Sequence, residues 1–176
     1  NYPIDHSGLI CLSVSLALKE SLNKRGLDAK LKWPNDLFIN GKKIGGILCE
    51  TKTDNSNIKT MVIGVGVNVN ESISEHHESI QKNLTTMLEV SKHPHQRELI
   101  VAEFINSFEL LLNKLFTEPS QIIEEWIDNC MHLNEDILFI QNDKILEGAF
   151  CGLDDNGFAK IKINNKVKSY NSINLI

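Results

Sequence analysis

No apolar run in this 176-residue chain reaches the roughly 18 to 20 residues that a membrane-spanning helix needs, so a helical span is not expected. No secretory leader precedes the first structured segment, and there is no initiator Met. Asn1 therefore reads as the start of a segment taken from a longer chain. Cysteine is sparse and scattered. Cys11, Cys49, Cys130 and Cys151 stand too far apart in sequence for a metal knuckle or a redox pair. Cys11 and Cys49 lie in apolar runs and read as small core residues. That usage fits a reducing, cytoplasmic compartment. A basic excess is missing as well: 18 Lys and Arg stand against 23 Asp and Glu, a formal net charge of −5. A broad nucleic-acid surface is not expected, although a local basic pocket stays open. Internal repeats and low-complexity tracts are absent, and no Ser or Cys has neighbours that mark a nucleophile.

What is present suffices for a sizeable core plus a small satellite, at 41% hydrophobic residues. Ser7 can cap a helix running to about Arg25, with Leu9, Leu12, Leu16 and the Leu18/Leu22 pair on its apolar face and Gly26 as its stop. Short strands follow at Ala29 to Trp33, Leu37 to Ile39 and Ile44 to Thr51. Asn40-Gly41 is a two-residue hairpin signal between the last two. Asp54 to Asn57 is a turn, and Lys59 to Val69 a long strand. Residues 71–95 are polar and weakly patterned; their four histidines match no metal-site spacing and read as a solvated loop around a short helix near Asn83 to Val90. Glu98 to Phe116 is an amphipathic helix whose buried face is expected to carry Leu99, Ala102, Ile105, Phe108 or Leu112, and Leu115. Pro119 opens another helix, to about Cys130, with Trp126 packing inward. From Glu135 the texture changes to short strands between Asn- and Asp-rich turns: Ile137 to Gln141, Ile145 to Gly152, Ala159 to Ile163, Val167 to Tyr170 and Ile173 to Ile176. This pattern predicts a small β-barrel that leans on the first unit. The expected whole is α+β, with a mixed or antiparallel sheet packed by helices over residues 1–132 and the barrel over 133–176.

Chemistry concentrates in two stretches. The first is Lys32-Trp33-Pro34-Asn35-Asp36, followed by Lys42-Lys43-Ile44-Gly45-Gly46-Ile47-Leu48. Pro34 biases Trp33 toward an extended backbone. The turn after it presents Asn35 and Asp36 at a strand edge. Lys43 lies just across the hairpin, and Lys32 lies four residues before Asp36. A positioned ammonium can neutralise charge developing on a carboxylate or phosphate. A nearby carboxylate can take a proton from an incoming amine or help hold Mg²⁺. Gly45-Gly46 leaves room for a ligand beside the strand, whereas Lys42 reads as a solvated charge.

The second stretch is Ile63-Gly64-Val65-Gly66-Val67-Asn68-Val69-Asn70. Alternation puts Ile63, Val65, Val67 and Val69 on one face and Gly64, Gly66, Asn68 and Asn70 on the other. A flat ring can lie against such glycines while an Asn reads its polar edge. Close packing against another backbone would also explain them.

In order and spacing, Lys32-Trp33-Pro34-Asn35-Asp36-Leu37, Lys43-Ile44-Gly45-Gly46-Ile47-Leu48 with Glu50, and Ile63-Gly64-Val65-Gly66-Val67-Asn68 resemble the catalytic domain of biotin–protein ligases, also called biotin–acetyl-CoA-carboxylase ligases. The likeness runs on through the Trp126 helix into the barrel, so it covers almost the whole chain, and three linked motifs are more specific than one glycine motif. The resemblance implies a class II aminoacyl-tRNA-synthetase-like catalytic domain and a C-terminal Src-homology-3-like (SH3-like) barrel. It implies joining of biotin to ATP with Mg²⁺ to give biotinyl-adenylate, then transfer to one lysine of a biotin carboxyl carrier protein domain. It further implies that Lys43 contacts the biotin carboxylate and phosphate, that Asn35 and Asn68 contact nucleotide, and that Asp36 engages the acceptor lysine. Lys32 would support the phosphate region, with Trp33, Gly45, Gly46, Ile47, Gly64 and Gly66 lining the walls. Mg²⁺ would travel mainly on the ATP phosphates. Members of the family often form homodimers through the sheet; no membrane and no direct nucleic-acid contact are implied.

One departure stands out. The family's Gly-Arg-rich loop over biotin and phosphates, and its upstream ureido-ring contacts, have no counterpart in these residues, so weak or no ligase activity is expected of this segment alone. Two other readings share much of the pattern: a non-catalytic biotin or adenylate sensor, and a lipoate or octanoate ligase of the same fold.

Overall fold

The structure is a computed structural model that describes residues 2–3, 7–54 and 57–175. Helix α1 (Ser7–Asn23) forms the centre of the first half. Leu9, Leu12, Val14, Leu16, Ala17, Leu18 and Leu22 are all buried, so the helix is covered on nearly every side rather than along one stripe. Three serines share that apolar surround. Ser13, Ser15 and Ser21 each donate their hydroxyl to a carbonyl one turn back (Leu9, Leu12 and Leu18, at 2.9, 2.7 and 2.8 Å), which leaves no desolvated hydroxyl unpaired. Gly26 ends the segment at φ +73°, and the Leu27 N–H then reaches back to the Leu22 carbonyl. Ser7 is itself helical, so the cap position falls outside the described residues.

Beside α1 lies a five-stranded sheet of β1 (Tyr2–Pro3), β2 (Lys30–Lys32), β3 (Asp36–Ile39), β4 (Lys42–Asp54) and β5 (Asn57–Val67), in the order β1-β5-β4-β3-β2. Its ladders among the described residues are all antiparallel. Asn40 and Gly41, at φ 51° and 73°, form the tight β3–β4 turn, both in the left-handed region that this turn requires. Of the expected turn at 54–57, Asn55 and Ser56 lie outside the described residues. The Trp33–Pro34 peptide is cis.

One irregularity positions the site. Leu37 pairs with Gly45 but Phe38 pairs with Lys43, so Ile44 is an extra residue in β4. Regular alternation would put Lys43 and Gly45 on one face and Gly46 on the other. The bulge at Ile44 resets the alternation, so Lys43 shares a face with Gly46 and with Asp36. Leu37, Ile39, Gly45 and Ile47 point to the helical side and are buried, Gly45 lying against Leu18 of α1.

After β5 come a 3₁₀ turn (Ile73–Glu75), α2 (Glu78–Gln81), α3 (Met87–Ser91), α4 (Arg97–Thr117) and α5 (Pro119–Asp128). The last two pack on α1. In α4 the buried face differs from the expected one. Ile100, Ser107, Leu111 and Leu115 are inside, whereas Leu99 and Ile105 are exposed. This helix carries apolar residues around its whole circumference, so periodicity alone could not choose the face; docking on α1 does. The Arg25–Glu103 ion pair fixes the same interface. In α5, Trp126 is buried and its indole N–H donates to the Ser15 hydroxyl at 3.0 Å.

The second sheet holds β6 (Asp136–Gln141), β7 (Lys144–Leu153), β8 (Ala159–Ile163), β9 (Lys166–Tyr170) and β10 (Asn174–Leu175), antiparallel in the order β10-β6-β7-β8-β9. Phe139, Phe150, Ala159, Ile161 and Tyr170 fill its interior, with Phe139 edge-on to Tyr170. It is the small β unit that the strand and turn pattern predicts, and the resemblance implies that it is SH3-like. Its 154–158 turn leans on the first half: Gly157 touches Leu9 and Leu12, and its carbonyl accepts from the Trp33 indole at 3.2 Å. Among the described residues no helix is long and apolar enough to cross a membrane.

Candidate functional site

The face of the first sheet turned away from α1 is floored by Gly46, Gly64 and Gly66. Gly46 pairs with Gly66, and Leu48 with Gly64. Two concavities meet on this floor. One, of about 410 Å³, is lined by Asn35, Asp36, Lys43, Gly46, Ile47, Leu48, Gly64, Val65 and Gly66. The other, of about 630 Å³, adds Gly45, Val67 and Asn68, and is closed at its far side by His76, Ile80, Asn83 and Leu84. Lys43, Gly46 and Gly66 belong to both.

Lys43 stands at the junction. Its ammonium pairs with Asp36 Oδ1 at 2.6 Å, and both side chains remain partly open, at 45% and 26% exposure. Its backbone is clamped: the N–H donates to Asn83 and the carbonyl accepts from Thr85, both at 2.8 Å. The cation is therefore fixed at its root, while its tip, paired with Asp36, stays partly open. Gly46 is required beneath it, because a β-carbon there would sit 2.9 Å from Asp36 Oδ1 and 3.4 Å from the Lys43 ammonium.

The other expected site residues divide. Asn35 and Asn68 both line the site, but each spends its amide donor on the scaffold. Asn35 Nδ2 donates to the Ile47 carbonyl, tying the turn to β4. Asn68 Nδ2 donates to Thr85 at 3.0 Å, tying the end of β5 to the 83–88 segment. Gly45 contributes backbone, since its β position faces Leu18 and the Gly66 carbonyl. Ile47 contributes backbone too, its side chain being buried on the helical side.

Lys32 is registered opposite Asp36, but Asp36 is paired with Lys43, and the Lys32 ammonium lies over the Phe38 ring, 5.6 Å from its centroid. Lys32 and Trp33 are absent from the lining of both concavities. Trp33 is buried against the barrel through its bond to Gly157, so its large ring couples the two halves. Asn70 also leaves the glycine face. The strand ends at Val67, and the Asn70 carboxamide exchanges two hydrogen bonds with the His95 backbone.

Two residues to which the motifs gave no role join the site. Leu48 is 61% exposed on the glycine face and offers apolar surface to a ligand; alternation from Gly46 would have found it. His76 faces the larger concavity, and its Nε2 is buried without a partner. No periodic signal in the 71–95 segment could have placed it. His95, expected to be solvated, is buried and bonded to Ser91, and burial, with the charges of His93 and Arg25, lowers its pKa. Among the described residues no three metal-ligating side chains converge, and Asp36 is already engaged by Lys43, so the site offers no ready-made cage for a divalent ion.

The arrangement combines one tethered cation, one carboxylate and a bare floor bordered by apolar surface. It suits an anionic group lying beside an apolar or flat one.

Residues 2–68 match the Biotin/lipoate A/B protein ligase family. The chain is similar to a bifunctional ligase/repressor of Bacillus subtilis, BirA, at 22% identity over 98% of this chain and 54% of that one. It is 36% identical to biotin–protein ligase 2 of Arabidopsis thaliana over 66% of this chain and 35% of that one. It thus spans about half the length, or less, of these curated relatives. A biotin protein ligase from Aquifex aeolicus, solved in complex with biotin and ATP, superposes with a TM-score of 0.83 at 23% identity, over 97% of this chain and 72% of that one. Residues 2–68 are therefore similar to that family's members, and across both of its sheets the chain has the fold of the biotin protein ligases.

Proposed function

We propose that this chain is the main part of a biotin–protein ligase, with residues 1–132 as the catalytic unit and 133–176 as its C-terminal barrel. The carrying observation is Lys43, paired with Asp36 on a glycine floor where two concavities meet. In this reading the smaller concavity takes the biotin acyl group, with Leu48 against its apolar chain. The larger concavity takes the nucleotide. A biotin carboxylate oxygen attacks the α-phosphorus of ATP, pyrophosphate leaves, and biotinyl-adenylate forms. Lys43 exchanges Asp36 for the incoming carboxylate and phosphate, where its charge is most useful as negative charge builds up. That exchange releases Asp36. The freed carboxylate then accepts a proton from the acceptor lysine of a carrier domain, such as the biotin carboxyl carrier protein, whose amine attacks the acyl carbon and expels AMP. Mg²⁺ would enter mainly on the ATP phosphates. A cytoplasmic location accompanies this chemistry.

The test uses the naturally expressed protein that contains this chain, with biotin, Mg-ATP and a carrier domain. Carrier biotinylation and pyrophosphate release are expected, and Lys43→Ala should reduce both by at least about 100-fold, the scale of losing one charge that stabilises the transition state. No transfer by the intact protein would overturn the reading. Because the matching family also covers lipoate ligases, the same assay with lipoate or octanoate is the second arm. Transfer of either in place of biotin would reassign the acyl group and leave the roles of Lys43 and Asp36 standing.

A further inference from the structure

A further cavity, of about 440 Å³, lies on the helical side of the first sheet, where α1, the Trp33-Pro34 turn and the barrel meet. Cys11 of α1 and Cys49 of β4 both line it, with Leu12, Trp33, Met61 and Phe158 among their neighbours. Far apart in sequence, the two residues are brought together by the packing of α1 on β4. Both are free thiols, half-buried rather than sealed in the core. From this juxtaposition we infer that Cys11 and Cys49 form a peroxide-reactive dithiol, which closes to an intramolecular disulfide and ties α1 to the strand that carries Lys43 and Gly46.

The two thiols are polarised in opposite directions. The neighbouring Cys11 thiol lowers the Cys49 pKa against the opposing effect of burial. Cys11 is raised, first by its neighbour Cys49 and then by burial. Thiolate character, and with it nucleophilicity, is therefore concentrated on Cys49. Its thiolate attacks one oxygen of hydrogen peroxide, giving a sulfenic acid and hydroxide. The Cys11 sulfur then attacks the Cys49 sulfur and forms the S–S bond. The sulfenic oxygen leaves as hydroxide and, with the thiol protons, ends as water. In sum, two thiols and one peroxide give one disulfide and two waters, and a dithiol reductant reverses the change. The other two cysteines serve as internal controls. Cys130 is raised to about 11 by burial, which outweighs the backbone hydrogen bonds that favour its thiolate, so it should react slowly.

The experiment treats the protein with hydrogen peroxide, blocks the remaining thiols with N-ethylmaleimide and maps tryptic peptides by mass spectrometry. The expected product is a linked pair joining the Cys11 and Cys49 peptides, formed at least 10-fold faster than any modification of Cys130 and lost on reduction. Cys11→Ser should leave a Cys49 sulfenic acid that dimedone traps, whereas Cys49→Ser should leave Cys11 unoxidised over the same period. If a serine variant does not fold, the rates in the unmodified protein decide. Equal oxidation of all four cysteines, or a stable Cys49 sulfenic acid without the link, would overturn the inference. The readout does not use ligase activity, so its outcome is independent of the proposed function.

Discussion

The two five-stranded antiparallel sheets use glycine in opposite ways. In the first, Gly46, Gly64 and Gly66 share a face, and among the described residues the space above them stays open as a concavity. In the second, Gly148 is the place where strands close up. A β-carbon there would sit 2.7 and 2.9 Å from the side chains of Ile161 and Ile163 and 2.9 Å from the Lys162 carbonyl. One sheet leaves a face open and the other fills its interior. The proposed ligand site is thus a face that the protein's own side chains leave partly open, and stability is carried by the faces that they fill.

The sharpest way to break that comparison is to empty the filled sheet. Phe150 has no exposed surface and contacts the His132 ring edge-on at 4.3 Å. Phe150→Ala should cost about 3 to 5 kcal/mol by urea unfolding, from lost burial plus the cavity left behind. A loss below about 1 kcal/mol would mean that the barrel interior collapses around the gap and is not rigidly filled.

The next effect is one of pH, at the junction between the halves. His132 is buried, its Nε2 has no partner, and its Nδ1 meets only the Cys130 sulfur at 3.6 Å. Burial, with the nearby Lys32 charge, lowers its pKa from 6.5 to about 4. The fold thus favours the neutral ring. Stability is complete above about pH 6.5 and falls as pH drops toward 4, because the unfolded chain takes up a proton that the fold refuses. The loss should reach about 3 kcal/mol at pH 4. His95, also lowered, adds in the same direction. His132→Phe should flatten most of this slope in unfolding curves taken at pH 7 and pH 4.5; an unchanged slope would place the dependence elsewhere.

The glycines themselves give a smaller, two-sided contrast. Gly148→Ala should destabilise by about 1 to 3 kcal/mol, since strands and two isoleucines must move. Gly46→Ala should change stability by less than about 1 kcal/mol, because the atoms it displaces are the ends of Lys43 and Asp36. It should nevertheless disturb that pair and depress pyrophosphate release. Equal stability losses would erase the distinction between the two sheets.

How far these features were readable differs from residue to residue. Strands and turns were legible because alternation and Asn-Gly, Asn-Asp and Asn-Asn pairs are local signals. The Lys43, Asp36 and glycine grouping was legible as a motif, although the bulge that aligns it was not. One inserted residue at Ile44 leaves no compositional trace, yet it reverses the face of everything after it. The buried face of α4, the inward turn of Trp33 and the meeting of Cys11 with Cys49 depend on how separate elements dock. Such contacts are set by the whole fold, and no window of neighbouring residues contains them.

The smallest effect tests whether the turns of the two sheets are interchangeable. The β3–β4 turn is Asn40-Gly41, at φ 51° and 73°, and the β8–β9 turn is Asn164-Asn165, at φ 47° and 63°. Both pairs adopt the left-handed conformation, and the two differ only in the second residue. Asn165→Gly would convert the barrel turn into a copy of the site hairpin. Glycine removes the steric cost of positive φ, but it also gives the unfolded chain more freedom, an opposing effect of about 0.4 to 1 kcal/mol. The expected net change is within about 0.5 kcal/mol, read as a shift in urea midpoint at constant slope. A loss above about 1 kcal/mol would show that the Asn165 side chain holds the turn through contacts of its own. The two hairpins would then be alike in backbone geometry but held by different forces.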